Sequence, residues 1–166
     1  MKSDPPADLE DRIVDSLIPL VEGDFLGNTE QELPIGRRAA RTAAVQALYE
    51  SDLTGHPAKP AAQRLAKTAG LSCKLCLLAA SLAEHAEGGR ETLDRRIQIA
   101  APLFPTNQIA IVDRNVLRVA LTELEIYGET PVEVVFNEAI EIARLLGSHE
   151  SPAFVNGVLA SMLESS

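Results

Sequence analysis

The sequence predicts an all-α domain, and three observations carry that prediction. Hydrophobic residues fill 46% of the 166 positions but aromatics only 4%, so the core has to be built from Leu, Ala, Ile and Val. Such a composition favours closely approaching helices over sheets. Apolar residues also recur at helical spacing along most of the chain, and Gly, Pro and Ser/Thr punctuate them at helix-length intervals. No convincing strand or internal repeat is visible. The expected architecture is a bundle of about seven helices over residues 36–166, preceded by an acidic extension over 1–35. That length suits one domain with a real core.

The extension reads as a separate segment. DLEDRIVDSLIPLVEGDFL spaces Leu9, Ile13, Leu17, Leu20 and Val21 as one helical face, with acidic residues in the first turn and Pro19 kinking or ending it. A solubilising disordered tail fits the same composition. GNTEQELP reads as a linker. The domain then opens with RRAARTAAVQALYESDL, whose Ala44, Val45 and Leu48 face inward, and Gly55, Pro57 and Pro60 break the chain after it. AAQRLAKTAG is a short helix ending at Gly70. Ser72 caps the next one, which runs through Leu75, Leu78, Ala79, Leu82 and Ala86 to Gly88-Gly89. RETLDRRIQIAA follows and is stopped by Pro102 and Pro105. Asp113 is the expected cap of a helix through Val116, Leu117, Ala120, Leu121 and Leu124. Thr130-Pro131 supplies a cap, a first-position proline and then Glu133. The helix it starts faces inward with Val135, Ala139, Ile142, Ala143 and Leu146 and closes at Gly147. Ser151-Pro152 repeats the device for a last helix over 153–163.

Charge is unevenly placed. Residues 1–35 hold two basic and nine acidic residues, net −7, whereas the remaining 131 hold 13 basic and 15 acidic, net −2, of the total −9. The acidity therefore does not argue against nucleic acid as a partner of the domain. No run approaches the roughly 18 apolar residues of a membrane span, and the acidic start lacks a signal pattern, so a cytoplasmic protein without membrane contact is expected. Cys73 and Cys76 form a lone C-x-x-C with neither a zinc quartet nor a βαβ context, and are expected to be two buried small residues. His56, His85 and His149 have no ligand spacing, and no nucleophile elbow, P-loop or H-E-x-x-H occurs. Glu138 and Glu141 read as a solvated face. The expectation is no enzyme, no cofactor and no metal.

Two sets of polar residues stand out. Arg37, Arg38 and Arg41 cluster at a helix start, where cations oppose the helix dipole, so helix stability does not explain them. Guanidiniums matched to phosphates would, with Tyr49 stacking on an unpaired base. A solvated basic turn with a core tyrosine fits equally well. Asn137 and Asn156 are read as near-core amides that must be hydrogen-bonded, and Gly157 as a point of close helix approach. These residues are expected to specify packing.

The ordered set RRAARTAAVQALYESDL, LAEHAEGGRETLD, IVDRNVLRVALTELEI, PVEVVFNEAIEIARLLG and ESPAFVNGVLASML resembles the NusB family of transcription antitermination factors over about residues 36–164. The resemblance implies a helical bundle in two halves. It implies binding to boxA-type sequences of nascent ribosomal RNA together with the ribosomal protein NusE, within an RNA polymerase elongation complex that resists termination. By position it implies RNA contacts from Arg37, Arg38, Arg41, Gln46 and Tyr49, from Asp113 and Arg114, and from Glu150, Ser151 and Phe154. It implies a partner surface at Val132, Glu133 and Phe136. Here Ala39 and Ala40 thin the arginine run, Pro152 and Ala153 remove polar or basic character from the third patch, and Val132 stands where an aromatic is common. The alternative expectation is a protein–protein adaptor or homodimer of the same fold with weak or lost RNA binding. The extension, by its charge, would then be a candidate to cover the arginines.

Overall fold

A computed structural model describes the backbone of residues 32–164 and the side chains of 35–164. The Leu9–Val21 pattern and most of the linker lie outside the described residues. Within them are seven α-helices and no strand: α1 Glu32–Thr54, α2 Ala58–Thr68, α3 Cys73–Gly88, α4 Arg90–Ala100, α5 Ile111–Ile126, α6 Val132–Leu146 and α7 Ser151–Glu164, with a 3₁₀ turn at Thr106–Gln108 before α5. Helices α1, α2 and α3 pack on one another as one half. Helices α4, α6 and α7 gather around α5 as the other, and α5 also lies against α1 and α3, joining the halves.

The alanine content makes the first half possible. Ala58, Ala61, Ala62 and Ala66 form one buried stripe of α2, facing Ala40, Ala43, Ala44 and Ala47 of α1 among the core residues. Side chains this small let backbones approach closely, and dispersion between tightly spaced atoms stands in for bulk. Larger side chains fill the rest of the core: Leu48, Leu82, Leu117, Leu121, Ile142 and Leu159 are fully buried. Each contributes about 1.5–3 kcal/mol by burial.

Helix ends follow the sequence in the first half. Gly70 takes φ +72° and lets the Leu71 amide donate back to the Ala66 carbonyl at 3.1 Å, a Schellman closure whose trailing apolar residue, Leu71, is buried. Ser72 caps α3 by accepting from the Leu75 amide at 3.4 Å. Helix α2 lacks a side-chain cap of its own, since Pro57 precedes it. Instead Glu87 of α3 accepts from the Ala58 amide at 3.2 Å and from the Ser51 hydroxyl at 2.7 Å, placing a carboxylate at the positive end of α2.

In the second half the expected caps shift. Helix α5 starts two residues before Asp113, with Ala110 at the cap and no side-chain bond, so Asp113 is not the cap. Helix α6 starts after Pro131, and the Thr130 hydroxyl donates to Glu123 at 3.2 Å rather than capping. Ser151 is already helical and accepts from the Ser148 amide at 2.9 Å. Gly147 is required by space: a Cβ there would stand 2.7 Å from the Ala143 carbonyl and would overlap the Ser151 side chain.

Several packing expectations do not hold. Asn137 and Asn156 are exposed, and a Cβ on Gly157 would meet nothing within 4 Å. The buried amide is Asn115 instead. Cys73 is exposed and Cys76 half-buried, both as free thiols. Glu138 is mostly buried and paired with arginines, not solvated. Among the described residues no helix is long and apolar enough to cross a membrane.

Candidate nucleic-acid interface

Helix α1 carries an inward stripe of Ala44, Val45 and Leu48. Arg41 precedes those residues by three, four and seven positions, and Asp52 follows them by eight, seven and four. Both charges therefore sit on the buried face of the helix. Helix α5 lies antiparallel to this stripe, since Arg41 meets Glu123 and Asp52 meets Asn115 and Arg118.

The Arg41 end is closed. Arg41 donates through Nε and Nη2 to the two Glu123 oxygens, both at 2.7 Å, with side-chain exposures of 5% and 4%. Arg38 forms a second fork with Glu138 at 2.8 Å, and the Glu138 carboxylate also stands 3.8 Å from Arg41. The Arg38 guanidinium is held above the ordinary arginine value, first by its hydrogen bond to Glu138; burial opposes this, and the Glu138 and Glu141 charges add to the rise. Two guanidiniums thus face two carboxylates. Helix α1 begins at Glu32, so Arg38 and Arg41 lie well inside it and not at the helix start the sequence suggested. Of the three clustered arginines, Arg41 is sealed, Arg38 is paired but keeps 44% of its side chain in solvent, and Arg37 is exposed and borders a groove of about 1310 Å³ with Lys74, Leu75, Tyr127 and Val134.

The Asp52 end is different. Asp52 accepts from Asn115 Nδ2 at 2.9 Å and from Arg118 Nη1 at 3.1 Å, with Arg90 Nη2 3.1 Å and Arg114 Nη2 3.7 Å away. Arg118, only 2% exposed, also forks onto Asp94 with both bonds at 2.7 Å. Arg114 Nη1 donates to the Thr106 carbonyl at 3.0 Å, tying α5 to the 3₁₀ turn. Tyr49, half-buried, precedes Asp52 by three residues and shares its side of α1. Gln46 is half-buried one turn earlier.

Next to Arg114, the start of α5 meets the start of α7. The Asp113 carboxyl is raised above its ordinary value by burial, and the Ser151 hydroxyl pulls it partly back; its Oδ1 has no partner. Phe154 meets Phe104 edge-on, with ring centroids 5.4 Å apart. Glu150 is exposed beside them, as is Ala153. The second and third expected patches thus adjoin, but Asp113 and Ser151 are buried, Arg114 and Phe154 half-buried, and of these five residues Glu150 alone is exposed. The partner residues Val132 and Glu133 are exposed on the first turn of α6, while Phe136 packs partly into the core.

Sequence reasoning missed Asp52, Asn115, Arg118, Glu123 and Arg90. A signal was present for most of them. In VLRVALTELEI, Arg118 stands between Leu117 and Val119 and Glu123 lies within the same largely apolar run, the pattern of a central helix whose charges must pair. Arg41 and Asp52 fall on the apolar register of α1. Arg90 has no such signal.

Fold and site together define a two-lobed, all-helical domain whose lobes are stapled by buried ion pairs along α1 and α5. The model of the NusB family matches residues 38–164. A transcription antitermination protein NusB of Dehalococcoides mccartyi is 37% identical over 130 residues, covering 76% of this chain and 88% of its own. Another, of Chloroflexus aggregans, is 40% identical over 129 residues, covering 76% and 86%. Among solved structures, T. maritima NusB superposes with a TM-score of 0.71 at 29% identity, covering 77% of this chain and 90% of its own. A chain from a crystal structure of the antitermination factors NusB and NusE in complex with dsRNA gives 0.69 at 23% identity, covering 80% and 98%. The chain belongs to the NusB family.

Proposed function

We propose that this protein is a transcription antitermination factor that binds boxA-type sequences of nascent ribosomal RNA together with NusE and acts on an RNA polymerase elongation complex. The observation that carries the reading is the meeting of the α5 and α7 starts, where the buried Asp113–Ser151 hydrogen bond and the Phe104–Phe154 contact bring Arg114, Glu150 and Phe154 together from separate parts of the chain. Aromatics beside an arginine and a carboxylate suit unpaired RNA: rings stack on bases, guanidiniums meet phosphates and carboxylates accept from base amino groups. Arg37 adds an exposed cation on α1. Arg38 and Arg41 contribute less, because their guanidiniums are already occupied by carboxylates. Val132, Glu133 and Phe136 are assigned to NusE, supported by the exposed apolar first turn of α6 with Val132 and Val134.

Titration of a fluorescent boxA RNA with and without NusE tests this. Binding that strengthens with NusE and falls steeply with salt is expected; no binding at low salt in either case overturns it. A second reading, an adaptor or homodimer with weak RNA binding, draws on the neutralised arginines in the first half of α1. It predicts that size measurements show NusE capture or self-association while RNA stays free.

A further inference from the structure

The cluster around Asp52 holds more positive charge than its role as a staple requires. Three guanidiniums, Arg90, Arg114 and Arg118, share two carboxylates, Asp52 and Asp94. Arg118 is saturated by Asp94, Asp52 and the Asn115 carbonyl. Arg90 and Arg114 are not. Arg90 Nη2 is ion-paired with Asp52 at 3.1 Å, but Arg90 Nε and Arg114 Nε are buried without a partner. A closed staple like Arg41–Glu123 leaves no such surplus, because an unpaired buried donor is costly. About a third of the Arg90 side chain is open to solvent, and 15% of Arg114, so the cluster reaches the surface at these two residues.

We infer that Arg90 and Arg114, oriented by Asp52, form a cradle for one backbone phosphate of bound RNA. This rests on the RNA-binding reading above and adds Arg90, on a helix that reading does not use. A phosphodiester supplies what the cluster lacks: one negative charge and two non-bridging oxygens that accept from guanidinium edges. Asp52 is the positioning residue. Its carboxylate draws the Arg90 and Arg114 side chains, from different helices, to one point. Tyr49, half-buried one turn before Asp52 on the same side of α1, is the aromatic this proposal assigns to the base of the same or the adjacent nucleotide.

The experiment is a salt series of boxA RNA binding, in the presence of NusE, for the wild-type chain, Arg90→Gln, Arg90→Lys and Arg95→Gln. Arg95 is exposed on the same helix, and its loss changes net charge equally. Arg90→Gln is expected to weaken binding about tenfold at low salt and to reduce the slope of log affinity against log salt by about 0.7, one single-strand phosphate contact. Arg90→Lys should keep the slope while losing part of the affinity, since a point charge replaces a fork. A merely structural role for Arg90 would not produce that split. Equal, small effects of Arg90→Gln and Arg95→Gln, in a chain that binds RNA, overturn the cradle alone. Absence of wild-type binding overturns the cradle and the RNA reading together.

Discussion

In the first half of α1, Arg41 and Arg38 meet Glu123 and Glu138, two cations against two anions, and the innermost pair is sealed. At its other end, Asp52 meets Arg90, Arg114 and Arg118, and even with Asp94 the cations outnumber the anions. Both clusters join α1 to the second half of the domain, and both begin from one charge on the same inward stripe. The difference lies in closure. A balanced, fully bonded pair has nothing left to offer a ligand, however rich in arginine its sequence is. A cluster with surplus charge, unpaired donors and an opening to solvent does. The arginines in the first half of α1 are thus largely paired within the fold, and the proposed binding chemistry lies toward its other end.

The largest way to break this comparison is Arg41→Ala. It strands a buried Glu123 and is expected to cost about 3–5 kcal/mol in urea denaturation. Combining Arg41→Met with Glu123→Leu should recover most of that loss, because an apolar pair of similar volume removes the desolvation penalty with the attraction. A single variant within 1 kcal/mol of the wild type, roughly the worth of an exposed pair, would show that the staple is open. Next in size is Gly147→Ala. The added Cβ collides with Ser151 and the Ala143 carbonyl and should cost about 1–3 kcal/mol, with a change in the nuclear magnetic resonance signals of Asp113 and Phe154. Unchanged signals there would uncouple the α6–α7 turn from the proposed interface.

Asp113 gives a smaller effect with a defined sign. Its carboxyl pKa in the folded protein lies above the ordinary 3.8, raised by burial. The folded state therefore holds more protons than the unfolded one between the two values. Its contribution to stability is complete below the ordinary value and is lost as pH rises through the raised one. Asp113→Asn should flatten that part of the stability–pH curve, and Ser151→Ala should steepen it by removing the hydroxyl that favours the charged form. A parallel curve for Asp113→Asn would contradict the burial effect. The smallest change is expected for Arg90→Gln in the absence of RNA. Removing one of the surplus cations should alter stability by no more than about 0.5 kcal/mol. The contrast with Arg41→Ala, one arginine against another, is the sharpest form of the comparison.

Much of this was legible in the chain. Helix count, most boundaries and the inner faces of α1, α3, α5 and α6 follow from spacing, because a helix repeats its buried positions every three or four residues. Gly70 and Ser72 were readable because they act on neighbouring residues. Asp113, Thr130 and Ser151 were misread as caps: Asp113 and Ser151 already lie inside their helices, and the Thr130 hydroxyl donates to Glu123 of the preceding helix. Asn137, Asn156 and Gly157 were misread as packing devices, since a polar residue within an apolar run does not reveal which side of the helix it occupies.

The sequence by itself determined the class of fold and the family, since these depend on local periodicity and on ordered motifs. Only the tertiary structure decided which arginines are spent on the fold and which remain available. That depends on partners 24 to 100 residues away, Asp94 for Arg118, Glu123 for Arg41 and Glu138 for Arg38. A cation and its carboxylate far along the chain carry no mark of each other until burial forces them to pair.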